Sequence, residues 1–175
     1  IVGFVPEDRH RDATILDFTL VENVALGEAG RARGWMDWSA RRRATAALLE
    51  AHDVRASGPD APMRALSGGN QQKLVLAREL AALGAGEAGG AGGTPRALVV
   101  ENPTRGLDIR AAADVAARLR AARDSGVAVV VHAADLDEVL ALADRVVVVH
   151  EGRVHEVPKE REAVGRAMLG ARQAR

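Results

Sequence analysis

The sequence predicts an α/β protein: a three-layer domain with a mostly parallel sheet. The continuous apolar run at 97–100 reads as a buried parallel strand, 127–131 as a second buried strand and 145–149 as a third strand. Between them, 111–123 and 135–143 repeat apolar residues at helical spacing. Strand and helix in alternation build a parallel sheet covered by helices. No internal repeat interrupts this order.

The remaining elements follow in order. Residues 1–5 form an apolar strand, and the charged stretch 6–14 reads as a loop. Thr19-Leu20-Val21-Glu22 has the capping-box pattern, which starts a helix through Leu26. Residues 27–38, with Trp35 and Trp38, are irregular, and Ser39 caps a helix to Ala51. A short strand over 54–56 and a Ser57-Gly58-Pro59 turn lead to a helix from Gln71 to Leu83. Residues 84–94 carry six glycines and read as a flexible surface insertion. Ala112, Val115, Ala116 and Leu119 form one inward face; Leu136, Val139, Leu140 and Ala143 form another. Glu151-Gly152-Arg153 turns tightly into a strand at 154–157, and a last helix covers 159–169.

Composition bounds the function. The 175 residues fit one domain whose 47% hydrophobic content is aliphatic, with no Tyr and two each of Phe and Trp. Twenty-four basic residues balance 24 acidic ones, so no net basic field favours nucleic acid or an anionic membrane. Arg41-Arg42-Arg43 reads as a solvated helix face. Absence of Cys removes disulfides, thiol catalysis and thiolate zinc sites. No apolar run reaches the roughly 18–20 residues of a membrane span, and no signal peptide is visible. The chain opens on Ile1, inside an apolar run, and reads as a piece of something longer.

The most informative string is Leu66-Ser67-Gly68-Gly69-Asn70-Gln71-Gln72-Lys73. A helix start presents free N–H groups and the positive end of the helix dipole. Ser67 adds a hydroxyl, and Gly68 and Gly69 let backbone approach a ligand closely. Together these favour a phosphate. A glycine-punctuated turn before an ordinary helix would read the same way. A second string, 98–108, places Glu101 and Asn102 at the carboxyl end of a buried strand, where α/β sheets hold ligand chemistry. A strand-end carboxylate paired with an Arg is the other reading of Glu101.

The full string 66–73 resembles the signature motif of ABC-type ATPases, in the variant of simple-sugar and nucleoside importers. The other motifs extend the resemblance over nearly all of 1–169, the glycine-rich loop being an insertion. Residues 98–108 resemble the Walker B strand followed by the D-loop Gly106-Leu107-Asp108. Residues 129–139 resemble the switch segment, and 3–9 resemble the Q-loop. Residues 10–13 and 21–26 are similar to the second ATPase half of those importers, which fuse two ATPase domains in one chain.

This resemblance implies an ABC ATPase fold of the P-loop NTPase type, incomplete at the N-terminus: no G-x-x-x-x-G-K-[ST] occurs in the chain. It implies five regions: Q-loop and helical subdomain 7–56, signature helix 66–83, insertion 84–94, Walker B to switch core 97–157, and C-terminal helix and tail 158–175. Ser67, Gly68, Gly69, Asn70, Gln71 and Asp108 are the implied ATP contacts. Glu101 takes the Mg²⁺-side position and Glu7 that of the Q-loop Gln. The base position holds Asn102, whose amide cannot take a proton; losing a general base costs about 10²–10⁴ in rate. The switch His position holds Ala134, with His132 two residues earlier, a strand-end His with a local hydrogen bond being the plainer reading of the latter.

No catalytic set is therefore intact, and the isolated chain is expected to be inactive. The implied role is the ATP-binding component of an importer. It lends its signature to a composite site that powers uptake of a sugar or nucleoside. ATP and Mg²⁺ are the implied cofactors. Implied partners are an N-terminal ATPase half or second ATPase domain, permease subunits and, indirectly, a substrate-binding protein. The implied location is peripheral, on the cytoplasmic face of the inner membrane. A non-catalytic interaction module and a soluble ABC ATPase of translation or DNA repair are the alternatives. Because the family's P-loop strand is interior to its sheet, residues 1–175 alone are expected to leave backbone groups unpaired there and to be marginal or aggregation-prone.

Overall fold

The computed structural model describes residues 1–27, 34–84 and 96–170. The chain divides into two compact units, 1–130 and 131–175.

In the first unit the order is β1 (Val2–Val5), α1 (Arg9–Asp12), α2 (Leu20–Leu26), α3 (Trp38–Ala51), a 3-10 turn (Met63–Ala65), α4 (Gly68–Ala82), β2 (Ala97–Glu101) and α5 (Ile109–Asp124). β3 (Ala128–His132) completes the series. β1 and β2 run parallel, with Gly3 opposite Leu98 and Val5 opposite Val100. The three strands pair consecutively, β1-β2-β3. β1 and β2, far apart in the chain, pair directly, and among the described strands β3 has a strand neighbour on one side only. Val5, Leu98 and Val100 are buried on one face of the sheet, while Val2 and Phe4 are exposed on the other. α4 packs against β1 at Gly3, where an added Cβ would lie 3.2 Å from Leu98 Cδ1 and 3.3 Å from Leu83 Cδ1.

A second core joins α2, α3 and α4 through Leu20, Leu49, Val54, Met63, Leu66 and Leu74. Asn23 organises its edge. The side chain, 1% exposed, accepts from Ile15 N (2.9 Å) and donates to the carbonyls of Ile15 (3.0 Å), Phe18 (3.3 Å) and Thr19 (3.0 Å). The loop before α2 thereby satisfies its backbone without a ladder. The capping box forms as predicted: Thr19 Oγ1 accepts from Glu22 N, and Glu22 Oε2 accepts from Thr19 N at 2.7 Å.

Three local expectations are corrected. Residues 54–56 form no strand, because Val54 N donates to Leu49 O and Arg55 N donates to Asn70 Oδ1. The stretch 6–14 is not all loop: Asp8 accepts from His10 N and Arg11 N and starts α1. α3 starts at Trp38 rather than after Ser39, because Asp37 accepts from Ala40 N at 2.9 Å. Most of the expected insertion, 85–94, lies outside the described residues.

The second unit contains α6 (Leu136–Leu142), β4 (Val146–His150), β5 (Arg153–Val157) and α7 (Arg161–Met168). β4 does not extend a parallel sheet; it pairs antiparallel with β5, Val146 opposite Val157. Glu151 and Gly152, at φ of 49° and 73°, make the two-residue turn that this hairpin requires. Leu136, Val139, Leu140 and Ala143 pack on the core of Val146, Val148, Val157 and Val164, as their spacing predicts.

Candidate functional site: the amino end of the signature-like helix

α4 begins at Gly68, three residues earlier than its apolar pattern suggests, because Ser67 acts as its N-cap. Ser67 Oγ accepts from Asn70 Nδ2 at 3.0 Å and, at a longer 3.5 Å, from Asn70 N. A cavity of about 170 Å³ opens at this end. Ser67, Gly69 and Asn70 line it from α4, and Asp108, Arg110, Ala111 and Asp114 from α5 and its N-cap. Asp53, Arg55 and Lys73 complete the wall. The glycines allow close packing: a Cβ on Gly69 would lie 3.1 Å from that of Ala111, and one on Gly68 would lie 2.9 Å from Arg9 Nη2.

The expected ATP contacts divide by placement. Ser67, Gly69, Asn70 and Asp108 meet at the cavity. Gln71, 5% exposed, turns inward instead. Its amide nitrogen donates to Met63 O and Leu66 O, and its oxygen accepts from Arg9 Nε (3.2 Å) and His10 Nε2 (2.7 Å). All four of its hydrogen-bonding positions are used within the chain, and the link ties α1 to α4. Asp108 caps α5, its Oδ1 accepting from Ala111 N at 2.8 Å.

The sequence does not single out Lys73 as a site residue. Its side chain is 8% exposed and its ammonium pairs with Asp53 (3.1 Å) and Asp114 (2.8 Å), which lie at the end of α3 and on α5. Hydrogen bonding to that ammonium lowers the pKa of both carboxyls below 3.8. Three helices are thus pinned where the cavity opens. Arg55 and Arg110 also line the wall, and neither carries an ion pair among the described residues. Sequence spacing could not reveal this set, because its members come from three separate elements.

Glu7, Glu101 and Asn102 meet at a second corner, as the motif order predicts. Asn102 Nδ2 donates to Glu7 Oε2 at 2.6 Å, and Glu7 N donates to Glu101 Oε2 at 3.4 Å. Asn102 sits at φ 42°, a left-handed conformation Asn tolerates better than most residues. The guanidinium of Arg105 pairs with the Glu7 carboxylate. A cation there would compete with that guanidinium, and among the described residues no three metal-ligating side chains converge. Glu7 and Glu101 as arranged do not fit Mg²⁺ held by this chain alone. His132, the last residue of β3, and Ala134 are both exposed.

No family model matches the chain. In sequence it is 39% identical over 160 residues to the nucleoside import ATP-binding protein NupA of Lactococcus lactis subsp. cremoris, covering 89% of this chain and 29% of that protein. It is 33% identical over 153 residues to the ribose import ATP-binding protein RbsA of Bacillus licheniformis, covering 86% and 29%. It is 36% identical over 178 residues to the xylose import ATP-binding protein XylG of Burkholderia ambifaria, covering 98% and 32%. The chain spans about a third or less of these relatives' length. In fold it resembles a dimeric post-hydrolysis ATP-binding cassette bound to ADP and Pi, with TM-score 0.63 and 24% identity over 89% of this chain and 62% of that one. It also resembles an inward-facing ABC transporter, with TM-score 0.70 and 19% identity over 97% and 62%. The chain carries a partial ABC ATPase fold, and the curated relatives it resembles are ATP-binding proteins of nucleoside, ribose and xylose import.

Proposed function

We propose that this chain is the C-terminal part of a tandem ABC importer ATP-binding protein, a second ATPase domain without its P-loop segment. It lends Ser67, Gly68 and Gly69 to an ATP whose P-loop, metal and catalytic base come from the other ATPase half. The observation that supports this most is separation. The α4 cavity, with Ser67 and Asp108, shares no lining residue with the Glu7–Glu101–Asn102 corner. An anion at α4 is therefore served by N–H groups and a hydroxyl, beside carboxylates that are already engaged, Asp53 and Asp114 by Lys73 and Asp108 by Ala111 N. The corner that would serve this chain's own nucleotide holds an amide at the base position and a neutralised Glu7. The pair of sites is unequal: one hydrolyses ATP, while the other binds nucleotide and turns over poorly.

In this reading 7–56 faces a permease, 66–83 is the signature helix, 84–94 an insertion, 97–157 the core and 158–175 a closing helix and tail. The transported solute is a sugar or nucleoside, as the relatives' names suggest. A substrate-binding protein delivers it, and the domain sits peripherally on the cytoplasmic face of the inner membrane. No helix among the described residues is long and apolar enough to cross a membrane, in keeping with this role. In the full-length protein, Ser67→Arg is expected to abolish ATP hydrolysis, whereas Asn102→Ala changes it little. Equal loss from both would sink the proposal.

The engaged Glu7 carboxylate favours a second reading, in which the chain binds its partners without turnover of its own. Micromolar ATP affinity of the purified chain without a partner would contradict that reading.

A further inference from the structure

Ser67 and Asn70 are linked in a way that fixes the direction of a hydroxyl. Arg55 N–H can only donate, and it lies 2.9 Å from one end of the Asn70 amide, so that end is the carbonyl oxygen. The other end, 3.0 Å from Ser67 Oγ, is therefore the NH₂ group, and Ser67 must accept from it. Asn70 N–H, at 3.5 Å, lies on the same oxygen. With its acceptor side taken from two directions and no acceptor for its own proton among the described residues, the Ser67 O–H is left to point into the cavity.

We propose that Asn70 is a positioning residue that makes Ser67 an obligate hydrogen-bond donor to the phosphate. This rests on the reading above, in which Ser67 meets ATP held by a partner domain, and adds how the hydroxyl is aimed. The relay runs Arg55 N–H to Asn70 oxygen, Asn70 NH₂ to Ser67 oxygen, and Ser67 O–H to a phosphate oxygen. Each bond polarises the next, so the terminal donor is strengthened. The amide is essential to the direction. A carboxylate of the same shape would still accept from Arg55 N–H, but its other oxygen would also accept. It would take the Ser67 proton inward and present only lone pairs and negative charge to the ligand. Asn70 thus acts through Ser67.

The test is a double-mutant cycle on ATP hydrolysis by the full-length protein, with kcat and KM measured separately. Ser67→Ala removes one donor to transition-state charge and is expected to lower kcat by about 100-fold. Asn70→Asp, which reverses the hydroxyl, is expected to match that loss, and Asn70→Ala, which only frees its rotation, to cost about tenfold, or about 1.4 kcal/mol. In a Ser67→Ala background, Asn70→Ala is expected to cost less than about twofold more, because nothing remains to be aimed. A purely structural role for Asn70 would persist in that background. Additive losses, or wild-type kcat for Asn70→Asp, overturn the proposal while leaving the functional reading intact. An unchanged rate for Ser67→Ala overturns both. Unfolding temperatures of all variants identify any that fail to fold, and the Asn70→Ala cycle decides the matter if Asn70→Asp does not fold.

Discussion

Replacing Lys73 with Met should cost the chain stability in a way that depends on pH. The Lys73 ammonium is almost fully enclosed and bonds to Asp53 at 3.1 Å, to Asp114 at 2.8 Å and to the Asp53 carbonyl at 3.3 Å. Unit charges about 4 Å apart attract by roughly 4 kcal/mol at an effective dielectric near 20, and desolvation of the buried ammonium offsets much of this. Breaking a fully buried pair costs about 3–5 kcal/mol. Here the partners are 60% and 37% exposed, so water rehydrates them once the ammonium is gone. The expected loss is therefore about 1–3 kcal/mol, and Met keeps the apolar stem packed, so the change isolates the charge. At about 2–4 °C per kcal/mol for a chain of this size, the melting temperature should fall by roughly 2–12 °C. The carboxyl pKa values are lowered in the fold, so the stability they contribute is present above 3.8 and is lost as pH falls through their folded values. The wild-type protein and the Lys73→Met variant should therefore differ most near neutral pH and converge in acid. Urea titrations from about pH 7 to about pH 3 measure this across the window in which the carboxyls titrate. A difference below about 0.5 kcal/mol at neutral pH, or one that does not shrink with acid, would refute the reasoning.

Other perturbations have equally definite outcomes. Arg118 Nη1 donates to His52 Nδ1 at 2.9 Å, and burial, with Arg118's charge as a lesser cause, holds the His52 pKa below 6.5. The unfolded chain therefore binds the proton more readily, so stability should fall as pH drops below about 6.5 and level off below the folded value. His52→Gln should remove that slope from a stability–pH curve, and an unchanged slope assigns it elsewhere. Asn23→Ala leaves Ile15 N–H without its partner, while the carbonyls of Ile15, Phe18 and Thr19 lose one donor but keep Phe18 N, Met63 N and residue 23 N. It should cost about 1–3 kcal/mol in chemical denaturation. Thr19→Ala dismantles the capping box and should cost about 1 kcal/mol, with amide exchange rising in the first turn of α2.

What could be read along the chain is what depends on neighbours in sequence. The capping box at Thr19 and the face of α6 rest on spacing within one element and form as read. β2 and β3 form where read, but β3 leaves Val130 exposed, and α5 buries Ala111 and Ala122 with Val115 and Leu119 in place of Ala112 and Ala116. The order of motifs likewise brought Glu7 to Glu101 and Asn102. Spacing could not say what the second layer of partners would be. Residues 54–56 have a strand's composition, but Arg55 N finds the Asn70 side chain instead of a neighbouring strand. Residues 146–150 have a buried parallel strand's composition, yet the short Glu151-Gly152 turn folds the next strand back against it. Lys73 reads as an ordinary helix cation until Asp53 and Asp114 arrive from other elements. By itself the sequence determined the elements, the fold class and the phosphate-favouring string at 66–73. Only the tertiary structure decided that Gln71 faces inward, that Arg105 engages Glu7 and that Asn70 meets both Arg55 and Ser67. Those outcomes depend on which donor meets which acceptor across long sequence separations, and such pairing is set by packing rather than by period.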